Sequence, residues 1–93
     1  MTHAEQILRA VAGIIQNEKT HFTRLAIREA IGVDANEWEK NYSPIFQAMR
    51  IGQPVAALRV ATKWRNVFRQ ASRGQYQLTS YGINLTHTLV EPK

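Results

Sequence analysis

Apolar residues near the start of the chain recur at intervals of three and four positions, which is the spacing of one face of an α-helix. The residues on this face are Ile7, Leu8, Val11, Ile14 and Ile15. Thr2 and Glu5 precede the pattern in the order of a capping box, in which the threonine oxygen accepts a hydrogen bond from the backbone three residues later. We therefore predict an amphipathic helix from residue 2 to about residue 17.

A second helical pattern covers residues 24–31, after a polar loop and a short extended piece. Thr23 is a good N-cap, and Gly32 can take the left-handed conformation that ends a helix. Arg24 and Arg28 lie one turn apart on the same face of this helix. They can contact a phosphate backbone, or they can simply be hydrated.

The next segment predicts one further helical turn. Asp34 and Glu37 form another capping box, which predicts a short turn through about Lys40. The link between the second helix and residue 43 is therefore longer than the turn of a minimal helix-turn-helix. Trp38 in this segment and Trp64 beyond it can stack on bases, but tryptophan in a small domain is more often a packing anchor, so we expect both in the core.

Residues 41–50 predict the helix around which the other elements are arranged. Ser43 followed by Pro44 is typical of a helix start, with the serine as cap, and Gly52 and Pro54 indicate its end. The inward side of this helix would carry Ile45, Phe46 and Met49. The outward side would carry Ser43, Gln47 and Arg50. Glutamine can bond bidentately to adenine and arginine to guanine in a major groove, whereas an ordinary solvated face is the alternative.

The pattern changes from helical to alternating after residue 63. Residues 64–71 are rich in aromatic and β-branched side chains, and residues 72–75 form a turn with Gly74 at a position suited to positive φ. Tyr76 and Leu78 then alternate with glutamines, which places the two apolar side chains inward. We predict a β-hairpin over these residues.

The hairpin is followed by a pattern for a short closing helix. Thr79 or Ser80 can cap this helix, which would continue through Leu85. Residues 53–62, between the third helix and the hairpin, are predicted to be irregular. We expect one domain over residues 1–90 and a frayed tail over residues 91–93.

Positive charge is concentrated in the second half of the chain. The net charge is +5. Residues 1–49 contain five basic and six acidic residues, whereas residues 50–93 contain seven basic residues, five of them arginine, and one acidic residue. This asymmetry points to a polyanionic partner, most often nucleic acid, and a basic domain without such a partner is the alternative.

Composition argues against several other classes of protein. The 93 residues include no cysteine, so disulfides and thiolate metal sites are excluded. The three histidines are scattered, and no phosphate-binding glycine loop or nucleophile motif is present, so we expect no enzyme, metal or cofactor. No apolar run approaches the roughly 18 residues of a membrane span, and no secretory pattern is present. We expect a cytoplasmic protein without a membrane partner.

The order of these elements resembles a winged helix-turn-helix domain. Three helices and an extra turn precede a hairpin that carries Arg65, Arg69 and Arg73. Residues 74–82, reading GQYQLTSYG, are similar to the G-x-Y-x-L-T-x-x-G exit of many wings. Residues 42–50 also resemble a module of bacterial restriction-type or phage DNA-handling proteins.

This resemblance implies an α+β fold, namely a three-helix winged helix-turn-helix with a C-terminal two-stranded wing and a short closing helix. It implies that the Ser43 helix enters the major groove with Gln47 and Arg50 nearest the base edges, and that Arg73 reaches a minor groove or the flanking backbone. The DNA-binding residues would be Ser43, Gln47, Arg50, Arg65, Arg69, Arg73, Arg24 and Arg28.

The function expected from the sequence is non-catalytic binding of double-stranded DNA, by a transcription regulator or a DNA-recognition module. The main alternative is a winged helix that binds protein, either as a homodimer or as a phage or mobile-element inhibitor or adaptor that docks on a nucleic-acid enzyme. A third possibility is RNA, for which the tryptophans and arginines would matter more than the helix.

Overall fold

The computed structural model describes residues 2–15, 21–52 and 61–90 as an α+β arrangement. Its elements are α1 (His3–Ile15), α2 (Arg24–Ile31), α3 (Ala35–Glu37), a π-helical turn (Trp38–Tyr42), α4 (Ser43–Ala48), a 3₁₀ turn (Thr62–Trp64), β1 (Phe68–Ser72), β2 (Gln75–Leu78) and α5 (Ser80–Val90). Most of the segment predicted to be irregular, the predicted end of the first helix and the predicted tail lie outside the described residues.

Three predicted N-caps are confirmed. The side-chain acceptors and their backbone donors are Thr2 Oγ1 with Glu5 N at 3.1 Å, Thr23 Oγ1 with Ala26 N at 3.1 Å, and Asp34 Oδ1 with Glu37 N at 2.7 Å. Gly32 ends α2 as predicted, with φ of 89°, and its N–H donates to the carbonyl oxygen of Arg28 at 2.9 Å. These local contacts fix α2 and the start of the next helical segment.

The predicted cap at Ser43 is wrong. The position before α4 is Tyr42, which already has helical φ and ψ and makes no side-chain cap, so α3, the π-helical turn and α4 form one helical run over residues 35–48. Pro44 explains the π-helical turn, because it has no N–H to donate and its ring would collide with the carbonyl four residues earlier. The chain widens by one residue, and Ser43 N donates to the Trp38 carbonyl oxygen. The predicted extra turn is therefore present, but it is joined to α4, and only a short turn at Gly32 separates this run from α2.

The core lies between α1, α2, the helical run and the hairpin. The largest fully buried side chains are Phe46, Phe68, Ile7, Leu8, Ile27, Met49, Val11 and Val67. The Phe46 ring contacts the rings of Phe68 and Tyr76, with centroids 5.1 Å apart in each case. Trp38 and Trp64 are each 5% exposed, which confirms that both tryptophans pack in the core.

The hairpin pairs β1 and β2 in antiparallel register. Phe68 lies opposite Leu78, and Gln70 lies opposite Tyr76, so these four side chains share the face that covers the core. Tyr76 and Leu78 are buried, as predicted. On the other edge of β2, Phe22 makes a single antiparallel bridge to Tyr76, with both backbone hydrogen bonds formed, at 2.9 and 2.8 Å.

The first strand begins later than predicted. The predicted strand started at residue 64, but Trp64 ends a 3₁₀ turn, and Asn66 has a φ of 61° that turns the chain. The strand starts only at Phe68, after the amides of Val67 and Phe68 donate to the carbonyl oxygen of Met49 at 2.9 and 3.2 Å. These bonds tie the end of α4 to the start of β1.

The closing helix is longer than the short helix predicted, because α5 continues for 11 residues to Val90. Thr79 caps it by accepting from Gly82 N at 3.0 Å. A side chain at Gly82 would collide with the backbone carbonyl of Val67, so glycine allows α5 to approach the hairpin closely. None of the helices in the described ranges has the length and apolarity needed to cross a bilayer.

Candidate nucleic-acid interface

Four of the predicted site residues meet between α2, α4 and the hairpin. Arg24 is the first residue of α2, Gln47 lies in the last turn of α4, and Arg50 follows the end of that helix. Ser43 lies one turn before Gln47, and Gln70 is contributed by the middle of β1. We call Arg24, Ser43, Gln47, Arg50 and Gln70 the arginine cluster.

The side-chain amide oxygen of Gln47 joins the two guanidinium groups of the arginine cluster. It accepts from Arg24 Nη2 at 2.6 Å and from Arg50 Nη1 at 3.0 Å. A second nitrogen of each arginine is also directed to a neutral oxygen, with Arg24 Nη1 3.4 Å from Ser43 Oγ and Arg50 Nη2 3.0 Å from Gln70 Oε1. Both guanidinium groups are thus oriented by uncharged acceptors.

An aromatic surface lies beneath both cations. The Arg24 guanidinium carbon is 5.3 Å from the centroid of the Phe46 ring and 5.7 Å from that of Tyr76, and the Arg50 carbon is 5.2 Å from the Tyr76 centroid. A cation over a ring at this distance gains about 0.5–2 kcal/mol, depending on its exposure. Tyr76 is itself held by its β2 pairing and its bridge to Phe22, so the surface beneath the arginines is fixed by backbone hydrogen bonds.

The two positive charges have no acidic partner among residues 2–15, 21–52 and 61–90. The ion pair present in those ranges joins Arg9 to Glu5 on α1, at 2.9 Å. The two guanidinium nitrogens that share the Gln47 oxygen are each within 3.0 Å of it, so they lie close together. Unit charges roughly 6 Å apart repel by about 1–3 kcal/mol at effective dielectric constants of 80 to 20. The cluster therefore concentrates uncompensated positive charge at a half-buried position.

The Nε atoms of both arginines are buried and have no hydrogen-bond partner in the described part of the chain. An arginine side chain has five N–H donors and stays positively charged throughout the ordinary pH range. Arg24 and Arg50 each direct two of these donors to protein acceptors, so three on each side chain have no acceptor among the residues that the structure describes. The cluster has more donors than its own residues satisfy.

The structure places Arg69 on the other face of the hairpin. Its cross-strand partner is Gln77, and successive residues along a strand point to opposite faces, so this pair faces away from Gln70 and Tyr76. With the Gln77 amide oriented to satisfy its neighbours, its oxygen accepts from Arg69 Nε and Nη2, both at 3.1 Å, and its nitrogen donates to His21 Nε2 at 3.1 Å. Arg69 is exposed, but it is not part of the arginine cluster.

The other three predicted arginines make no hydrogen bond to the arginine cluster within the described residues. Arg73 is exposed in the two-residue turn between β1 and β2. Arg65 is half-buried in the turn before β1, and its Nε has no partner within the described ranges. Arg28 Nε donates to the Val33 carbonyl oxygen at 3.2 Å, which ties down the turn after α2 and gives this arginine a structural task.

Two members of the site were missed from the sequence. Tyr76 was predicted only as an inward residue, and Gln70 was not singled out. Strand alternation contains a signal for both, because Gln70 lies two residues after the buried Phe68 and its cross-strand partner is Tyr76. The approach of Arg24 has no such signal, since it depends on how α2 packs on α4.

A second surface feature lies beside the Arg69 and Gln77 pair, where the end of β2 meets the start of α5. It is a groove of about 460 Å³ whose lining includes Ile51, Leu78 and Ile83. Ile51 and Ile83 are exposed by 44% and 45%, which is high for isoleucine. Within the described residues, no group of three or more histidine and acidic side chains is arranged to hold a metal ion.

Comparisons with family models, with curated proteins and with solved structures gave no match to this chain.

Proposed function

We propose that the chain is a winged helix-turn-helix domain that binds double-stranded DNA without catalysing a reaction, as a transcription regulator or a DNA-recognition module. Two features support this fold assignment. First, the helical run 35–48 follows α2 after a short turn, as a recognition helix does. Second, the bridge at Phe22 adds an extended segment to the free edge of β2, so that the order across the sheet is Phe22, β2, β1. The turn at Arg73 and Gly74 would then be the tip of the wing.

The observation that carries the proposal is the uncompensated arginine cluster. Cations held by neutral acceptors at the outer edge of a helix, beside a hairpin, suit a polyanion better than they suit a purely structural role. In this proposal Ser43 and Gln47 face the duplex from α4. Arg50 faces it from just beyond the end of α4, and Arg24 reaches it from the start of α2.

The remaining arginines receive different roles in the proposal. Arg73, at the tip of the hairpin, would contact a minor groove or the flanking backbone. Arg65 and Arg69 would contact flanking phosphates, with Arg69 approaching from the outer face of the wing. Arg28 would contribute mainly through the turn it stabilises and through long-range attraction.

An electrophoretic shift with random duplex DNA at two salt concentrations tests the proposal. We expect binding at low salt that weakens steeply as salt rises, because each neutralised phosphate changes the slope of log K against log salt by about 0.9. The double variant Arg69→Ala and Arg73→Ala should bind all sequences more weakly and with a flatter slope. Arg9→Ala is the control, because it removes a cation that is already paired with Glu5. If the double variant bound duplex DNA as tightly as the Arg9→Ala control, Arg69 and Arg73 would be excluded as DNA contacts.

Binding to a protein is the second candidate function, and the exposed isoleucines of the groove favour it. No binding of duplex DNA at low salt would support this candidate over the first. Charged substitutions of Ile51 and Ile83 would then be the variants to test for lost association. Competition between single-stranded RNA and duplex DNA would separate an RNA-binding protein from a DNA-binding one.

A further inference from the structure

We infer that Arg24 and Arg50, with Gln47 between them, form a binding site for a single phosphate group. The inference concerns one oxyanion held by two guanidinium groups, and it assigns Gln47 to positioning these groups. Placing that phosphate in a DNA backbone rests on the proposed function, but the affinity of the site for phosphate does not.

The geometry already directs two arginines toward one oxygen. The Gln47 oxygen accepts from both guanidinium groups, so it occupies the kind of position that an oxygen of an anion would take. Guanidinium groups bind phosphate through parallel N–H donors, and bonds to a charged acceptor are about twice as strong as bonds to a neutral one. With Gln47 kept in place, a phosphate would therefore bind through the remaining N–H donors of the same two arginines.

The donors that an anion needs are present and unused. Besides the buried Nε, two Nη hydrogens on each arginine have no acceptor in the described part of the chain, and these are the donors that an anion would use. Ser43, Gln70 and the Tyr76 ring hold both guanidinium groups in place without neutralising them. Preorganised cations lose little freedom when the anion binds.

The same contacts argue against base reading by Gln47. A glutamine that recognises adenine needs both its oxygen as acceptor and its nitrogen as donor. Here the oxygen already accepts from two charged donors, and separating it from them would leave two cations facing each other. In the proposed complex this part of α4 therefore sets the position of the protein on the backbone, and the choice of sequence is made by other residues.

The substitution Gln47→Glu tests the site directly, because it places a carboxylate between the two guanidinium groups and so offsets the positive charge that would bind the anion. The wild type should gain thermal stability with inorganic phosphate, by roughly 5–10 °C at ten times the dissociation constant, beyond the effect of sodium chloride at equal ionic strength. Gln47→Glu should fold with a raised Tm but lose this phosphate-specific gain. Asn84→Asp, on exposed α5, makes the same change in net charge and should keep the gain. An equal gain in all three proteins would overturn the inference.

Duplex DNA provides a second arm that separates the two proposals. If both arginines hold one phosphate, Arg24→Gln combined with Arg50→Gln should reduce the salt slope by about 0.9, and not by the roughly 1.8 expected for two separate phosphates. A reduction of the salt slope by about 1.8 in a folded variant would overturn the single-phosphate inference but would still support the proposed DNA-binding function. A phosphate response that Gln47→Glu abolishes, in a protein that does not bind duplex DNA, would support the phosphate site and refute the proposed function.

Discussion

Substituting Gln47 by methionine and by glutamate should change the stability of the fold in opposite directions. Both replacements are close to glutamine in size, so packing against the half-buried helix edge is largely kept. Methionine removes the oxygen that accepts from Arg24 at 2.6 Å and from Arg50 at 3.0 Å, whereas glutamate adds a negative charge to that oxygen. The sign of the change therefore reports the electrostatics of the cluster.

The size of each change follows from the two hydrogen bonds. A hydrogen bond to a charged group is worth about 1.5–3 kcal/mol, but water can replace part of it at a half-exposed site, so Gln47→Met should lose about 1–2 kcal/mol in all. Gln47→Glu creates two partly exposed ion pairs and should gain roughly 0.5–2 kcal/mol. The two variants should therefore differ by about 1.5–4 kcal/mol, and because 1 kcal/mol shifts Tm by about 4–8 °C in a domain of this size, their Tm values should differ by roughly 6–30 °C.

Thermal unfolding followed by circular dichroism, at low and high sodium chloride, measures both variants against the wild type. We expect Gln47→Met to unfold below the wild type and Gln47→Glu above it, and added salt should reduce the gain of Gln47→Glu because it screens charge pairs. If both variants lost the same stability at both salt concentrations, Gln47 would act through packing alone. The electrostatic reasoning would then be refuted.

Two further predictions test the fold by chemical denaturation. Gly82→Ala should destabilise the protein by about 1–3 kcal/mol, because its methyl group would collide with the Val67 carbonyl. Gly13→Ala is the control, because its added carbon meets open space, and it should stabilise α1 by roughly 0.5–1 kcal/mol. Equal effects of the two substitutions would contradict the close approach of α5 to the hairpin. Asp34→Ala should cost about 1 kcal/mol through loss of its cap. Ser43→Ala should cost about 0.5 kcal/mol or less, because Ser43 is inside the helical run and loses only a long contact of 3.4 Å from Arg24 Nη1. A loss of stability at Ser43 as large as that at Asp34 would indicate that Ser43 caps a helix start, as expected from the sequence.

Local signals in the sequence predicted the local structure well. The caps at Thr2, Thr23 and Asp34, the left-handed Gly32 and the inward alternation of Tyr76 all depend on residues a few positions apart, and each was found as predicted. The predicted class, α+β with a C-terminal hairpin, was also found. Whether these elements form a winged helix remains a proposal.

The failures come from longer-range competition between elements. Ser43 and Pro44 look like a helix start, but the capped turn at Asp34 had already begun a helix, and a π-helical turn accommodates the proline without ending it. Residues 64–67 have the composition of a strand, but the amides of Val67 and Phe68 donate to the Met49 carbonyl oxygen. Pairing between β1 and β2 therefore begins only at Phe68. Neither outcome can be read from propensity in a short window.

The candidate site was predicted only in part for the same reason. Ser43 and Gln47 share an edge of α4, as helical spacing predicts. Arg50 was predicted on the same helix, but it lies beyond the end of α4, in a bridge to Phe68 of β1. Arg24 joins them through packing between helices, and Arg69 lies on the far face because of the hairpin register. A count of positive charges in the second half of the chain could not distinguish Arg69 from Arg50.

The most direct test of the central claim is the affinity for random duplex DNA, measured by fluorescence anisotropy at low salt. The proteins compared are the wild type, the double variant Arg24→Gln with Arg50→Gln, and Arg9→Gln as the control. We expect the double variant to bind every sequence at least tenfold more weakly, a loss of about 1.4 kcal/mol in binding free energy, while its fold is retained and the control binds like the wild type. Equal affinity of the double variant and the control would contradict the claim that the arginine cluster contacts DNA.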